Sequence, residues 1–139
     1  MKVFQHTITL NTLGRGTYNI SREIENTISD SQVNTGLCNI FICHTSASLI
    51  ISENADPDVR HDLERFMEKI APDGDPSYEH QDEGPDDMPA HIRTVLTQTA
   101  LSVPVVNGAS GLGIWQGIYC WEHRTHPHHR KIIITVSGD

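Results

Sequence analysis

The stretch "LCNIFICHTSASLIIS", residues 37 to 52, decides how the rest of the chain is read. Its first part, "LCNIFICHT", is a nearly continuous apolar run, which predicts a central strand buried on both faces. After a short polar break, "ASLIIS" continues the sheet. By alternation His44 shares a face with Cys38, Ile40 and Ile42. Taken alone it reads as a core histidine with one satisfied hydrogen bond. His44, Thr45, Ser46 and Ser48 together put several polar groups where a buried strand ends, a usual place for a pocket. The serines lack the G-x-S-x-G elbow of a nucleophile.

Towards the N-terminus, Phe4, His6, Ile8 and Leu10 alternate with polar partners, the pattern of a half-buried strand, and "LGRG" supplies a glycine turn. Between Thr17 and Ser31, Ile20, Ile24 and Ile28 recur every fourth residue, as on an amphipathic helix. Towards the C-terminus the clearest helix follows, with Asp56 as its cap, Pro57 at its first position and Val59, Leu63, Phe66 and Ile70 in one stripe. Residues 72 to 88 then hold three prolines, two glycines and seven acids with no periodicity. A loop of that length in a compact domain is usually functional or disordered. Pro89 opens a short helix to about Thr99, and "LSVPVVN", "GIWQGIYCWE" and "RKIIITVS" read as strands. Helices and strands segregated in this way predict an α+β fold, a single domain over residues 1–139.

A chain of 139 residues buries about two-thirds of its unfolded surface, enough for one core. The net charge is −8, and thirteen of the eighteen acids lie between Glu53 and Asp87, which argues against a nucleic-acid partner. No run of 18 apolar residues and no signal-peptide pattern is present, so no membrane association is expected, and a soluble, cytoplasmic protein is. Cys38, Cys43 and Cys120 form no C-x-x-C pair and are expected to be small buried side chains.

Chemistry is concentrated in "EGPDDMPAHIRTVL", residues 83 to 96. With a helix starting near Asp87, Asp87 and His91 face the same way. Capping needs only one aspartate. Asp86 and Asp87 fixed between Pro85 and Pro89 suit holding a cation or orienting a histidine ligand. His80 adds a third imidazole, although no consecutive motif such as H-E-x-x-H links it to His44 and His91. Asp58 suits the helix start, whereas Asp62, one turn on, makes a like-charge pair with it that calls for a nearby cation or donor; a solvated helix face with Arg65 as that partner is one reading. Further on, Gln116, Ile118, Cys120, Glu122 and Arg124 point to one side of a strand whose other side carries Trp115, Tyr119 and Trp121. Glu122 paired with Arg124 is one reading of this row. The other has Arg124 and Arg130 clamping a phosphate or carboxylate. "HRTHPHHR" itself reads as a hairpin loop.

"HTSASLIISENADPDVRHDLE", "YEHQDEGPDDMPAHI" and "LGIWQGIYCWEHRTHPHHRKIIITVSG" resemble, in order and over nearly the whole chain, the YjbQ or UPF0047 family of small bacterial and archaeal proteins. That resemblance implies β-sandwich-like sheets, a homotrimer and a pocket lined by His44, Thr45, Ser46, Asn54, Asp62, His80, Asp86, Asp87, His91, Gln116, Glu122, Arg124 and Arg130. It strengthens His44, His80 and His91 as ligands of a divalent metal, zinc or magnesium, with Asp86 and Asp87 behind them. It also implies a secondary thiamine phosphate synthase acting on small phosphorylated substrates. Two alternatives stand beside that: a metal-dependent hydrolase of a phosphorylated or amide substrate, and a non-catalytic trimeric metal- or ligand-binding protein. Ile114 and Ser52 depart from the threonine and asparagine more common in the family.

Overall fold

The computed structural model describes residues 1–139. In chain order its elements are β1 (Lys2–Thr12), β2 (Gly16–Asn19), α1 (Ser21–Ser31), β3 (Thr35–Ile42), β4 (Ala47–Glu53), α2 (Pro57–Ile70), α3 (Asp87–Leu96), β5 (Ala100–Val106), β6 (Ala109–Ser110), β7 (Gln116–Glu122) and β8 (His128–Gly138). The strands form a five-stranded sheet in the order β1-β8-β3-β5-β6 and a three-stranded sheet in the order β2-β7-β4. Every pairing is antiparallel. The result is an α+β domain of two sheets and three helices. No helix is long and apolar enough to cross a membrane.

The core lies on the inner face of the large sheet. Cys38, Ile40 and Ile42 of β3, Ile132, Ile134 and Val136 of β8, and Leu101, Val103 and Val105 of β5 meet Ile20 just before α1, Ile24 and Ile28 of α1, and Ala47, Leu49, Ile118 and Cys120 of the small sheet. Ile20, Ile24 and Ile28 are each fully buried, and burial of such a side chain contributes roughly 1.5–3 kcal/mol. The other face of β7 is covered too. There Arg60 stacks over the Tyr119 ring, 4.6 Å from its centroid, and Trp121 Nε1 donates to Glu64 at 3.2 Å.

Four expectations are corrected. The strand β3 is buried on one face only, because no layer covers the outside of the large sheet: Leu37 and Phe41 remain 54% and 43% exposed. The helix α1 begins at Ser21, since Gly16–Asn19 is drawn into edge pairing with β7, and Asn19 Oδ1 accepts the Ser21 N–H at 2.9 Å where the chain turns. The helix α2 starts as read, with Asp56 accepting the Asp58 N–H and Pro57 in first place, but its stripe does not reach the core. Val59, Phe66 and Ile70 are exposed and only Met67 of that helix is buried. Finally, Cys43 is exposed, whereas burial pushes the Cys38 thiol up to about 11 and that of Cys120 to about 12.

Candidate functional site

Local sequence sets the geometry of the loop before α3. Gly74 N–H bonds the Pro85 carbonyl at 3.1 Å, Asp75 Oδ1 accepts from Ser77, and Tyr78 Oη donates to the Pro72 carbonyl at 3.1 Å. Gly84 has φ +105°, and a Cβ there would stand 3.2 Å from Asp86 Oδ1, so both backbone and space call for glycine. Asp86 occupies the position before α3 yet makes no capping bond. Its carboxylate is turned instead to Arg124 Nε (2.8 Å) and the Thr125 N–H (2.9 Å). Asp87 opens the helix. Pro89 follows in the first turn, where its missing N–H leaves no bond unmade.

Asp87 is the hub. Its side chain is 2% exposed. One carboxylate oxygen accepts from Arg124 Nη1 at 2.8 Å, and the other lies 2.6 Å from His80 Nε2 and 3.2 Å from His91 Nε2. The two imidazoles meet edge to face, with centroids 5.4 Å apart. Burial alone would raise Asp87, but the His80 hydrogen bond and the Arg124 charge outweigh it and hold the carboxyl below its ordinary range. Asp86 behaves alike: burial opposes ionisation, and the Arg124 and Thr125 hydrogen bonds overcome it.

His91 Nδ1 lies 3.1 Å from the Thr45 carbonyl, which can only accept. The Nδ1 proton is thereby fixed, and neutral His91 presents a bare Nε2 lone pair to a carboxylate oxygen. A second proton or a cation must lie between them. Histidines that bind metals are commonly oriented by such a carbonyl. One donor atom each from His80, Asp87 and His91 lies within 4.8 Å of the other two, a spacing that a tetrahedral ion with bonds of about 2.0–2.2 Å can gather by small side-chain movements.

His44 is placed differently from the expected ligand trio. Its Nε2 accepts the Lys131 N–H at 2.8 Å, which puts the proton of the neutral ring on Nδ1 and leaves no free lone pair. Burial, then the Arg130 charge, lowers its pKa. The anion clamp expected of Arg124 and Arg130 is not formed either. Arg124 directs Nε, Nη1 and Nη2 to Asp86, Asp87 and the Glu83 carbonyl. Arg130 is buried and pairs through Nε (2.8 Å) and Nη2 with Glu122, and also reaches Ser46 Oγ at 3.0 Å. Glu122 therefore pairs with Arg130 rather than with the Arg124 guanidinium; the Arg124 backbone N–H and Thr12 Oγ1 complete its shell.

The chain thus brings together Thr45, His80, Asp86, Asp87, His91 and Arg124, with Ser46, Glu122 and Arg130 in a second cluster. Asn54 and Gln116 lie at the far end of the β4–β7 ladder from Glu122, where they bond the Ile114 carbonyl and the Gly113 N–H. Asp62 is exposed on α2 beside Arg65, as the solvated-face reading has it. Two buried groups escaped the sequence reading. His123 Nε2 lies 2.7 Å from Ser48 Oγ under Trp121, and Arg93 bonds Glu64 at 2.7 Å. Alternation along the strand read from Gln116 to Arg124 puts His123 on the side of Tyr119 and Trp121, the signal that could have marked it.

Two clefts flank the imidazoles. One, of about 600 Å³, is lined by His80 with Tyr78, Gln81 and the glycines of the loop. The other, of about 410 Å³, is lined by His44, Thr45 and His91 with Thr94, Val95, Thr97 and Thr99.

The fold and site define a two-sheet α+β domain with an imidazole–carboxylate cluster at the start of α3. The model for the UPF0047 protein YjbQ-like family matches residues 6–139. A UPF0047 protein of Synechocystis is 50% identical over 97% of this chain and 92% of its own length. The UPF0047 protein YjbQ of Escherichia coli O157:H7 is 46% identical over 98% of this chain and 99% of its own. Among solved structures, an uncharacterized YjbQ/UPF0047 protein of Clostridium acetobutylicum superposes with TM-score 0.88 at 32% identity, covering 95% of this chain and 99% of that one. A YbjQ-like protein of unknown function from Sulfolobus solfataricus reaches TM-score 0.91 at 22% identity, over 99% of both chains, which speaks to the fold alone. The chain belongs to the YjbQ/UPF0047 family.

Proposed function

We propose that this protein is a divalent-metal enzyme acting on small phosphorylated substrates, with the ion held by His80, Asp87 and His91. The observation that carries this reading is His91 facing Asp87 with its Nδ1 proton already committed to the Thr45 carbonyl. The residues fit an ion of the zinc type: two imidazoles, one carboxylate oriented by Arg124, and room for an exchangeable position because His80 is 45% exposed and His91 32%. Bound there, zinc or magnesium would supply Lewis-acid stabilisation of departing negative charge.

The reaction favoured is the one the family resemblance implies. The ring nitrogen of a thiazole phosphate attacks the methylene carbon of a hydroxymethylpyrimidine diphosphate, the C–N bond forms, and diphosphate leaves with the electron pair of the broken C–O bond. Two separate clefts, one lined by His80 and the other by His91, whose rings touch, support a two-substrate reaction. Arg124 keeps Asp87 ionised and oriented, and Thr45 fixes the His91 ring. A second reading, hydrolysis, is favoured by one specific observation. Both guanidiniums expected to hold diphosphate are already paired with carboxylates.

A homotrimer belongs to the same proposal. The outer face of the large sheet carries Val3, Leu37, Phe41 and Val106 exposed and no acidic residue on β3, β5 or β8, which supports burial against another copy. A light-scattering mass of one chain would remove that part.

Zinc titration by calorimetry should give one site per chain, weakened at least tenfold in Asp87→Asn and in His91→Ala. Diphosphate release that requires the thiazole phosphate indicates transfer; release without it indicates hydrolysis. A chain that takes up neither zinc nor magnesium, or variants that bind as the parent does, would sink the reading.

A further inference from the structure

One guanidinium in the molecule is fixed in place without a carboxylate beside it. Of the seven arginines, Arg15, Arg65, Arg93, Arg124 and Arg130 each reach an acid. The two left over differ: Arg22 is exposed, where water solvates its charge, whereas Arg60 is partly buried. The Arg60 guanidinium lies over the Tyr119 ring, 4.6 Å from its centroid, and Nη1 donates to the Glu53 carbonyl at 2.7 Å. These contacts orient the group and leave its Nε–Nη2 edge unpaired. That edge carries the two parallel N–H bonds that suit two oxygens of one carboxylate or phosphate.

The acids within reach along the chain are committed elsewhere. Glu64, four residues on, would be the ordinary helical partner. Its oxygens instead accept from Arg93 Nη1 at 2.7 Å and Trp121 Nε1 at 3.2 Å. Glu53 turns its carboxylate to the N–H groups of Ala55 and Asp56, and Asp56 in turn caps α2 through the Asp58 N–H. Part of the desolvation cost of Arg60 is therefore uncompensated within the chain.

Arg60 opens on a groove of about 320 Å³ that it lines with Arg15, Gly16, Thr17, His61 and Glu64. Arg15 is oriented as firmly, with Nε on the His123 carbonyl and Nη1 and Nη2 on Asp73. Three of its five N–H bonds are used, and one remains on each terminal nitrogen. With Glu64 turned to Arg93 and Asp73 to Arg15, the charge left over in this groove is the positive charge of Arg60, in a chain whose net charge is −8. The groove shares no lining residue with the clefts at His80 and His91.

We infer that the groove between α2 and the start of β2 is a binding site for a small oxyanion, a carboxylate or a phosphate group, with the Nε–Nη2 edge of Arg60 as its main contact and Arg15 as its second. It is separate from the imidazole cluster and needs no ion there.

The test uses the full chain in chloride buffer without added metal, and two probes: inorganic phosphate and succinate. The arginine Nε–H resonances are followed by NMR, that of Arg60 being the one missing from Arg60→Met. At least one probe should move it saturably, with a dissociation constant below about 10 mM that weakens as sodium chloride is raised. A response to phosphate alone assigns the groove to phosphate-bearing ligands, a response to succinate alone to carboxylates, and a response to both to oxyanions in general; each upholds the inference. Affinity should fall about tenfold or more in Arg60→Met and about threefold in Arg60→Lys, which keeps the charge and loses the fork. Full affinity in either variant would overturn the inference, so the test stands even if Arg60→Met folds poorly. Absence of saturation by both probes, or movement confined to the Arg124 and Arg130 signals, would overturn it as well.

Discussion

Arg124 and Arg130 lie on and just after the connection from β7 to β8, which crosses between the two sheets rather than forming the hairpin expected of "HRTHPHHR", and each meets carboxylates, but their surroundings differ. Arg130 and Glu122 have side chains 4% and 0% exposed, and their remaining valences are filled by Thr12, Ser46 and the Arg124 backbone. Arg124 is 14% exposed and forks between Asp86 and Asp87 at 2.8 Å each. Asp87 keeps its second oxygen for His80 and His91. The first cluster is closed, and the second has a side facing a cleft. What distinguishes scaffold from site here is whether an acceptor is left pointing at groups that can exchange a partner.

Breaking the closed cluster should cost most. Arg130→Met strands Glu122 in the core, and such an unpaired buried charge destabilises by about 3–5 kcal/mol. Urea denaturation would read it. Arg130→Met combined with Glu122→Leu should recover much of the loss, because the penalty lies in the orphaned charge. Arg124→Met should cost less, about 1–3 kcal/mol, since Arg124 itself is partly exposed and Asp86 and Asp87 keep the Thr125 N–H and His80 as partners. Equal losses at the two arginines would erase the distinction drawn above.

The next effect comes from His123, which lies one residue from each cluster. Burial first, then the charges of Arg93, Arg15 and Arg130, lower its pKa to about 3. The unfolded chain takes up this proton near pH 6.5 while the folded one resists it. The stability it contributes is therefore complete above about pH 6.5 and is lost progressively as pH falls towards 3, with an upper bound on the order of 4 kcal/mol. Carboxylates with depressed pKa values, Glu122 among them, lose stability over lower pH, so the informative quantity is a difference. His123→Leu, which replaces the ring with an apolar side chain, should flatten the denaturation midpoint between pH 6.5 and 4 relative to the parent. Parallel profiles would show that His123 does not sense acid.

Much of this was legible in the sequence where one residue type admits one physical role. Asp56–Pro57 marked a helix start because a side-chain acceptor and a missing N–H both fit there, and Ile20, Ile24 and Ile28 marked a buried face by their spacing. The pairing of Asp87 with His91 followed from helical geometry. Partners distant in sequence were less legible. Whether Glu122 chooses Arg124 or Arg130 depends on the β1–β8 ladder that delivers Thr12, and the lone pairs of His44 depend on a backbone N–H 87 residues away. The apolar run around β3 misled for another reason: apolar residues on both sides of a strand do not by themselves supply a layer to cover each side, and Leu37 and Phe41 stay open here.

The smallest effect should come from Asp62, the acid that resemblance places in the pocket and geometry places on the surface. It is 75% exposed and bonds Arg65 three residues on at 3.1 Å, itself 70% exposed. Water screens such a pair, and the entropy of holding two long side chains offsets most of its attraction. Asp62→Asn should therefore change stability by less than about 0.5 kcal/mol and leave zinc affinity as it was, in contrast to Asp87→Asn. Activity is the sharper readout. Unchanged turnover would keep Asp62 among solvated helix charges. A large loss with intact folding and zinc binding would mean that α2 of one chain reaches the His80–His91 site of another, since within a single chain this carboxylate has no contact with either ring.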